Sequence, residues 1–159
     1  MEPNNPVSKP NHPACGWTNN DFAAYSSPDL VTWTLRNPSL LAADKRPNGV
    51  YFRPKVLYNQ QTGQFVLWFN FVTAGWKCPA SFPHCWSVYG TATAQSAAGP
   101  YVLQHIPVQM GTGNSSFAHG DFDLFADSDG KGYILYNGAS CAALCGTADG
   151  VWQRTTIGI

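Results

Sequence analysis

The stretch VLYNQQTGQFVLWF, from Val56 to Phe69, joins two apolar runs through a polar turn that carries Gly63. Runs of this kind, bounded by turn chemistry, predict a β-hairpin. The pattern returns in DLFADSDGKGYILYN, from Asp123 to Asn137. Leu57, Tyr58 and Gly63 match Leu124, Phe125 and Gly130 at an offset of 67, and Phe65 to Trp68 match Tyr133 to Tyr136 at 68. A second pair of segments agrees: YSSPDLVTW (Tyr25 to Trp33) and ATAQSAAGPY (Ala92 to Tyr101) both join strands through serine and a turn, with Ser27 and Ser96 spaced by 69. A unit of four strands therefore repeats about every 68 residues.

Working outward, the spacing predicts strands over Phe22 to Tyr25, Trp33 to Arg36, Phe52 to Tyr58, Gln64 to Phe71, Trp86 to Ala94, Tyr101 to Pro107, Phe122 to Phe125 and Gly132 to Tyr136. No segment of helical period competes with them. Along Gln64 to Phe71, Phe65, Leu67, Phe69 and Phe71 point one way, while Val66 and Trp68 point the other. Both faces are apolar, so both are expected to be covered, as in neighbouring blades of a β-propeller and unlike a sandwich with one wet face. The expected fold is all-β: part of a propeller, with one full four-stranded blade and two half blades. Open blade edges would leave the 159 residues prone to self-association. Residues 1–20 read as an irregular lead-in, 21–145 as the partial propeller and 146–159 as a tail of uncertain structure.

Composition narrows the partners. Nine Lys+Arg balance nine Asp+Glu, charged residues are only 11% of the chain and aromatics reach 14%. A balanced charge argues against nucleic acid, and 44% apolar content argues against disorder. The longest apolar run, Phe65 to Val72, is interrupted by Asn70 and falls far short of a membrane span. The opening MEPNNPVSKPNHPAC has no apolar core for a secretory signal and holds four prolines. Either the protein is cytosolic or its true start lies upstream.

Five cysteines favour the second option and an extracellular setting: Cys78 and Cys85 form one close pair, Cys141 and Cys145 another, and Cys15 stands alone. Cys78 and Cys85 enclose PASFPH, whose prolines suit a small closed loop, although spacing cannot fix connectivity. Zinc is the rival reading, disfavoured because neither gap is CxxC and no histidine pair sits at ligand spacing. The odd Cys15 points to a partner outside this chain. The residues call for no metal and no cofactor.

YSSPDLVTW, YFRPKVLYN with VLWFNF, the SAAGPY step and GDFDLFADSDGKGYILY occur in that order. The series resembles glycoside hydrolase family 43, five-bladed propellers that cleave glycosidic bonds with inversion, and most closely its exo-1,3-galactanase-like branch. The likeness runs from about Asp21 to Asn137 and fades after Gly146. It implies a secreted protein acting on galactan- or arabinan-type polysaccharide, with the first half blade and everything after the third blade's opening hairpin missing from these residues.

The family's chemistry needs a proton donor for the leaving oxygen and a base for water. The sole glutamate here is Glu2, in the lead-in, so the family's Glu general acid has no counterpart; its place in the branch reads NGASCAALC. The family's aspartate base, on the first blade's opening strand, would precede residue 1 or be absent. The chain alone is not expected to be a competent hydrolase, and a non-catalytic carbohydrate-binding propeller is the alternative. A structural propeller without a sugar ligand is a third reading, since fold does not settle function.

One position matches. The resemblance gives Asp121, in HGDFDLF, the role of an aspartate that tunes and orients the acid by a like charge, although a strand-start carboxylate capping backbone N–H groups reads equally simply. Asp123 shares its side of the strand and reads as a solvated or turn-bonding carboxylate. Arg53 opens the other blade in YFRPKV, where the branch has ERPKV; Phe52 replaces the Glu, and Arg53 is left to donate to sugar hydroxyls or to Asp121, with a structural ion pair an equal reading. His119 stands beside Asp121. Trp76 and Trp86 flank the Cys78/Cys85 loop and could present a ring to a sugar, with loop packing as the plainer reading. Asp29 reads as a turn cap, Asp127 and Asp129 as hairpin-turn residues, and Trp33 and Trp68 as blade core.

Overall fold

In a computed structural model, the described residues are 20–73, 87–108, 110, 117–140 and 152–157. They are all-β, with no helix among them. The strands are β1 (Ala24–Ser26), β2 (Thr34–Asn37), β3 (Gly49–Asn59), β4 (Gln64–Thr73), β5 (Val88–Ala94), β6 (Val102–His105), β7 (Phe117–Ala126), β8 (Gly132–Ser140) and β9 (Trp152–Ile157). They form three antiparallel sheets, β1-β2, β3-β4-β5-β6 and β7-β8-β9. One full blade is thus flanked by two incomplete ones. The expected second half blade gains a third strand, because Trp152–Ile157 pairs along β8 where the sequence reading left a tail of uncertain structure.

Both opening hairpins close through a glycine turn. Asn59 Oδ1 accepts from the backbone N–H groups of Gln61 and Thr62, and Gly63 N–H donates to Asn59 O at 2.9 Å. In the next blade Gly130 N–H donates to Asp127 O at 3.0 Å. Gly63 and Gly130 carry φ of 67° and 81°, a left-handed turn that glycine adopts without steric cost. Asp129 Oδ1 accepts from Lys131 N–H, so both acids of ADSDG serve the turn. At the end of each hairpin an aromatic pair faces across the strands, Tyr58 with Phe65 and Phe125 with Tyr133.

The alternation of β4 sorts its side chains between two cores. Leu67, Phe69 and Phe71 enter a cluster with Phe22, Leu40, Leu41, Tyr51 and Tyr101, while Trp68 packs on the other side against Tyr89, Phe122 and Ile134. Both faces of the blade are covered, as the double-sided apolar pattern requires. The first half blade is fastened to the full one by Leu40, which accepts from Tyr101 N–H, and by a parallel bridge between Leu41 and Tyr101. Asn20 imitates a strand partner: its side-chain amide donates to Tyr51 O and accepts from Tyr51 N–H. Trp33, expected in the blade core, is instead 54% exposed, because β1-β2 has no inner strands to pack against among the described residues.

Candidate functional site

The innermost strands of the two neighbouring blades, β3 and β7, run side by side. Each breaks its ladder at one point. In β3 the register shifts between Phe52 and Lys55, and in β7 between His119 and Phe122, positions separated by the 67-residue repeat. The bulged residues are Arg53-Pro54 in one blade and Gly120-Asp121 in the next. A bulge re-aims the side chain it carries. Arg53 takes φ of 53°, a left-handed conformation uncommon for a non-glycine residue.

Two charge pairs bridge these strands. Arg53 Nε lies 2.5 Å from Asp121 Oδ1, and Lys55 Nζ lies 3.2 Å from Asp123 Oδ1. Arg53 also lies over the ring of Phe52, 4.9 Å from its centroid. The Asp123 carboxyl is held below its ordinary value, first by the Leu124 backbone N–H and then by Lys55. Asp121 therefore meets a guanidinium at a bulge, rather than capping a strand in the manner of the plainer sequence reading. The wall presents alternating cations and carboxylates within reach of solvent.

Behind the wall the chemistry is buried. Tyr89 OH donates to Gly120 O at 3.2 Å, and Asn70 Nδ2 donates to the same oxygen at 3.1 Å. Burial pushes the Tyr89 phenol far up its titration range, so it stays a donor. Farther along the same strands, at the turn end, an interblade cleft of about 380 Å³ opens between Leu57, Trp68, Tyr133 and Ile134. Among the described residues no group of three His, Cys, Asp or Glu converges as a metal site.

Of the residues singled out in the sequence, Arg53 and Asp121 come together. His119 lies in β7 opposite Gly138, immediately before the bulge, with its side chain outside the described residues. Trp76, Trp86, Cys15, Cys78, Cys85, Cys141 and Cys145 also lie outside the described residues. Asn70, Tyr89, Lys55 and Gly120 were not singled out. The available signal was Asn70, a lone amide inside an apolar strand that had been read only as a break in a hydrophobic run.

These strands and bulges match a section of the β-propellers of glycoside hydrolase family 43 structures. The resemblance seen in the motifs is matched by solved structures. A family 43 β-1,3-galactosidase is 28% identical over 76% of this chain, with a TM-score of 0.55. The exo-β-1,3-galactanase of Clostridium thermocellum is 26% identical over 74%, with a TM-score of 0.54. That of Phanerochaete chrysosporium, solved as a variant with β-1,3-galactotriose, is 26% identical over 74%, with a TM-score of 0.53. The chain spans 26% and 27% of the length of these structures, about a quarter of each. No protein-family model matches the chain, and no curated protein matches it significantly.

Proposed function

We propose that the wall bearing Arg53 and Asp121 recognises β-1,3-linked, galactan-type carbohydrate, and that these 159 residues bind such a chain without cleaving it. The observation that carries the reading is the Arg53–Asp121 pair at matching bulges of successive innermost strands. A guanidinium offers several N–H donors in a fixed fork and a carboxylate offers only acceptors, a combination that suits vicinal sugar hydroxyls. The fungal galactanase solved with galactotriose, and again with galactose, supports the choice of glycan.

Inverting hydrolysis needs an acid and a base roughly 6.5–9.5 Å apart. Here Asp121 and Asp123 are each engaged by a cation, and the only glutamate is Glu2. The wall thus offers a tuning carboxylate and no proton donor. In the wider protein we assign the chain to an extracellular, inverting glycosidase of galactan or arabinan, whose acid comes from other residues. The resemblance to family 43 glycosidases favours that second, catalytic reading for the whole protein.

Calorimetric titration of the chain with β-1,3-galactotriose, beside a reducing-sugar assay, tests both parts. The expected result is saturable binding, weakened tenfold or more in Arg53→Ala and Asp121→Asn, with no sugar released. Absent binding, or binding indifferent to both substitutions, overturns the recognition site. Released galactose overturns the non-cleaving reading of this chain.

A further inference from the structure

The carbonyl that precedes Asp121 belongs to Gly120, and two donors from the neighbouring blade converge on it. Asn70 Nδ2, from β4, and Tyr89 OH, from β5, reach it at 3.1 and 3.2 Å. Both side chains are completely buried, and the Asn70 amide also donates to the buried Ser87 Oγ at 3.1 Å, which fixes its plane. On its other side Gly120 lies flush against Asn137 of β8: a Cβ on Gly120 would come within 2.0 Å of Asn137 Oδ1.

A bulge leaves ladder groups without their usual partners, and one buried carbonyl needs only one donor to be satisfied. Two donors held by rigid strands of another blade do more than satisfy it: they fix the plane of the Gly120–Asp121 peptide. Turning that peptide changes ψ of Gly120 and φ of Asp121, the torsions that aim the Asp121 side chain at Arg53. Along β4 the residues that precede Asn70 on its own face are Val66 and Trp68, while on β5 Tyr89 and the buried Thr91 face the same way.

We propose that Asn70 and Tyr89 are positioning residues for Asp121, setting through the Gly120 carbonyl the place where the carboxylate meets Arg53 and the glycan. The proposal rests on the carbohydrate-recognition reading of this wall. It assigns to one blade the alignment of a charged group carried by the next.

A double-mutant cycle with β-1,3-galactotriose separates this role from a direct contact or a merely structural one. Tyr89→Phe keeps the ring and removes one donor; losing one hydrogen bond of ordinary net strength is expected to raise Kd about fivefold. Asn70→Ser is expected to act in the same direction. In the Asp121→Asn background Tyr89→Phe should cost nothing further. A full fivefold loss in that background means that Tyr89 acts on the sugar or the fold directly, and overturns the proposal.

A second readout needs no glycan. The carbonyl ¹³C shift of Gly120 and the amide ¹⁵N shift of Asp121 should both move in Tyr89→Phe and in Asn70→Ser, while the amides of β1 and β2 stay in place. Unmoved Gly120 and Asp121 signals overturn the proposal whether or not galactotriose binds. Moved signals in a protein that does not bind galactotriose overturn the recognition reading and leave the alignment standing.

Discussion

Arg53 and Asp121 occupy the same bulge of successive blades and face each other at 2.5 Å across the seam between β3 and β7. The repeat that builds the blades therefore also builds the site: the bulge of β3 returns in β7 67 residues on, and the two deliver charges of opposite sign to the shared wall.

The pair adds little to stability. The two side chains are 42% and 68% exposed, and exposed ion pairs contribute about 0.2–1 kcal/mol after screening. A double-mutant cycle of Arg53→Ala and Asp121→Asn, followed by urea unfolding, is expected to give a coupling of about 0.5 kcal/mol that shrinks as salt is raised. A coupling several times larger that persists in high salt would make the pair a structural clamp. Small coupling keeps both variants folded for binding measurements.

Asp21 provides the contrast. Its carboxylate pairs with Arg46 at 2.5 Å, with side-chain exposures of 12% and 13%, and it also accepts from Ser39 Oγ and from the Phe22 N–H. Arg46 in turn lies over the ring of Tyr51, 5.8 Å from its centroid. Removing one partner of a buried pair strands the other, at about 3–5 kcal/mol. Asp21→Ala is expected to lower the unfolding free energy by about 3 kcal/mol, and Arg46→Met, which retains an apolar stem, by less. Equal unfolding midpoints for Asp21→Ala and the wild type would show that the pair is solvated in solution.

The hairpins were readable in the sequence because strand, turn glycine and strand are local features that repeat at one period. The turn roles of Asp29, Asp127 and Asp129 followed from the same local chemistry, as their hydrogen bonds show. The bulges were not readable. A register shift depends on the partner strand, and nothing in YFRPKV announces that Arg53 turns left-handed. Asn70 was hidden for a related reason: its partners lie 17 and 50 residues away, one just before β5 and one in another blade. β9 was missed because WQRTTI has apolar residues only at its two ends and so shows no alternation, beyond the point where the motif series ends. Trp33 was misjudged because a half blade exposes what a whole one would cover.

Asp29 ties the first half blade to pH. Its Oδ1 accepts from Thr32 N–H at 2.7 Å, Val31 N–H at 2.9 Å and Ser27 Oγ at 2.9 Å. These bonds, that of Thr32 first, hold its carboxyl down at about 2 from an ordinary 3.8. A depressed folded value means that the turn's stabilisation is complete above the unfolded value of about 4 and is lost as pH falls through about 2. Carboxyl ¹³C titration should place the Asp29 midpoint near 2, with amide exchange at Val31 and Thr32 accelerating in the same interval. A midpoint near 4, with no change in those amides, would show that the turn bonds do not form. Asp29→Asn, which keeps an acceptor oxygen, should abolish the acid-dependent step.

Gly120 is the position at which a single methyl group tests the packing of β7 on β8. A Cβ there would lie 2.0 Å from Asn137 Oδ1, inside the closest approach that real side chains make, and 3.2 Å from Asn137 Cγ and Asn137 O, a tight contact. The strands on either side cannot yield cheaply, since Gly120 O is held by Asn70 and Tyr89 and Asn137 pairs with Arg154 of β9. Overpacking of this kind costs roughly 1–3 kcal/mol, so Gly120→Ala is expected to destabilise the fold by about 2 kcal/mol in urea unfolding. The offending atom is the end of one side chain, so the penalty should be relieved when that atom goes. In an Asn137→Ala background only the 3.2 Å contact with the backbone oxygen remains, and Gly120→Ala should then cost less than about 1 kcal/mol. A penalty unchanged in that background would place the strain in the Gly120 backbone rather than in Asn137, whereas rescue would show that β7 and β8 meet at the bulge as closely in solution as their register requires.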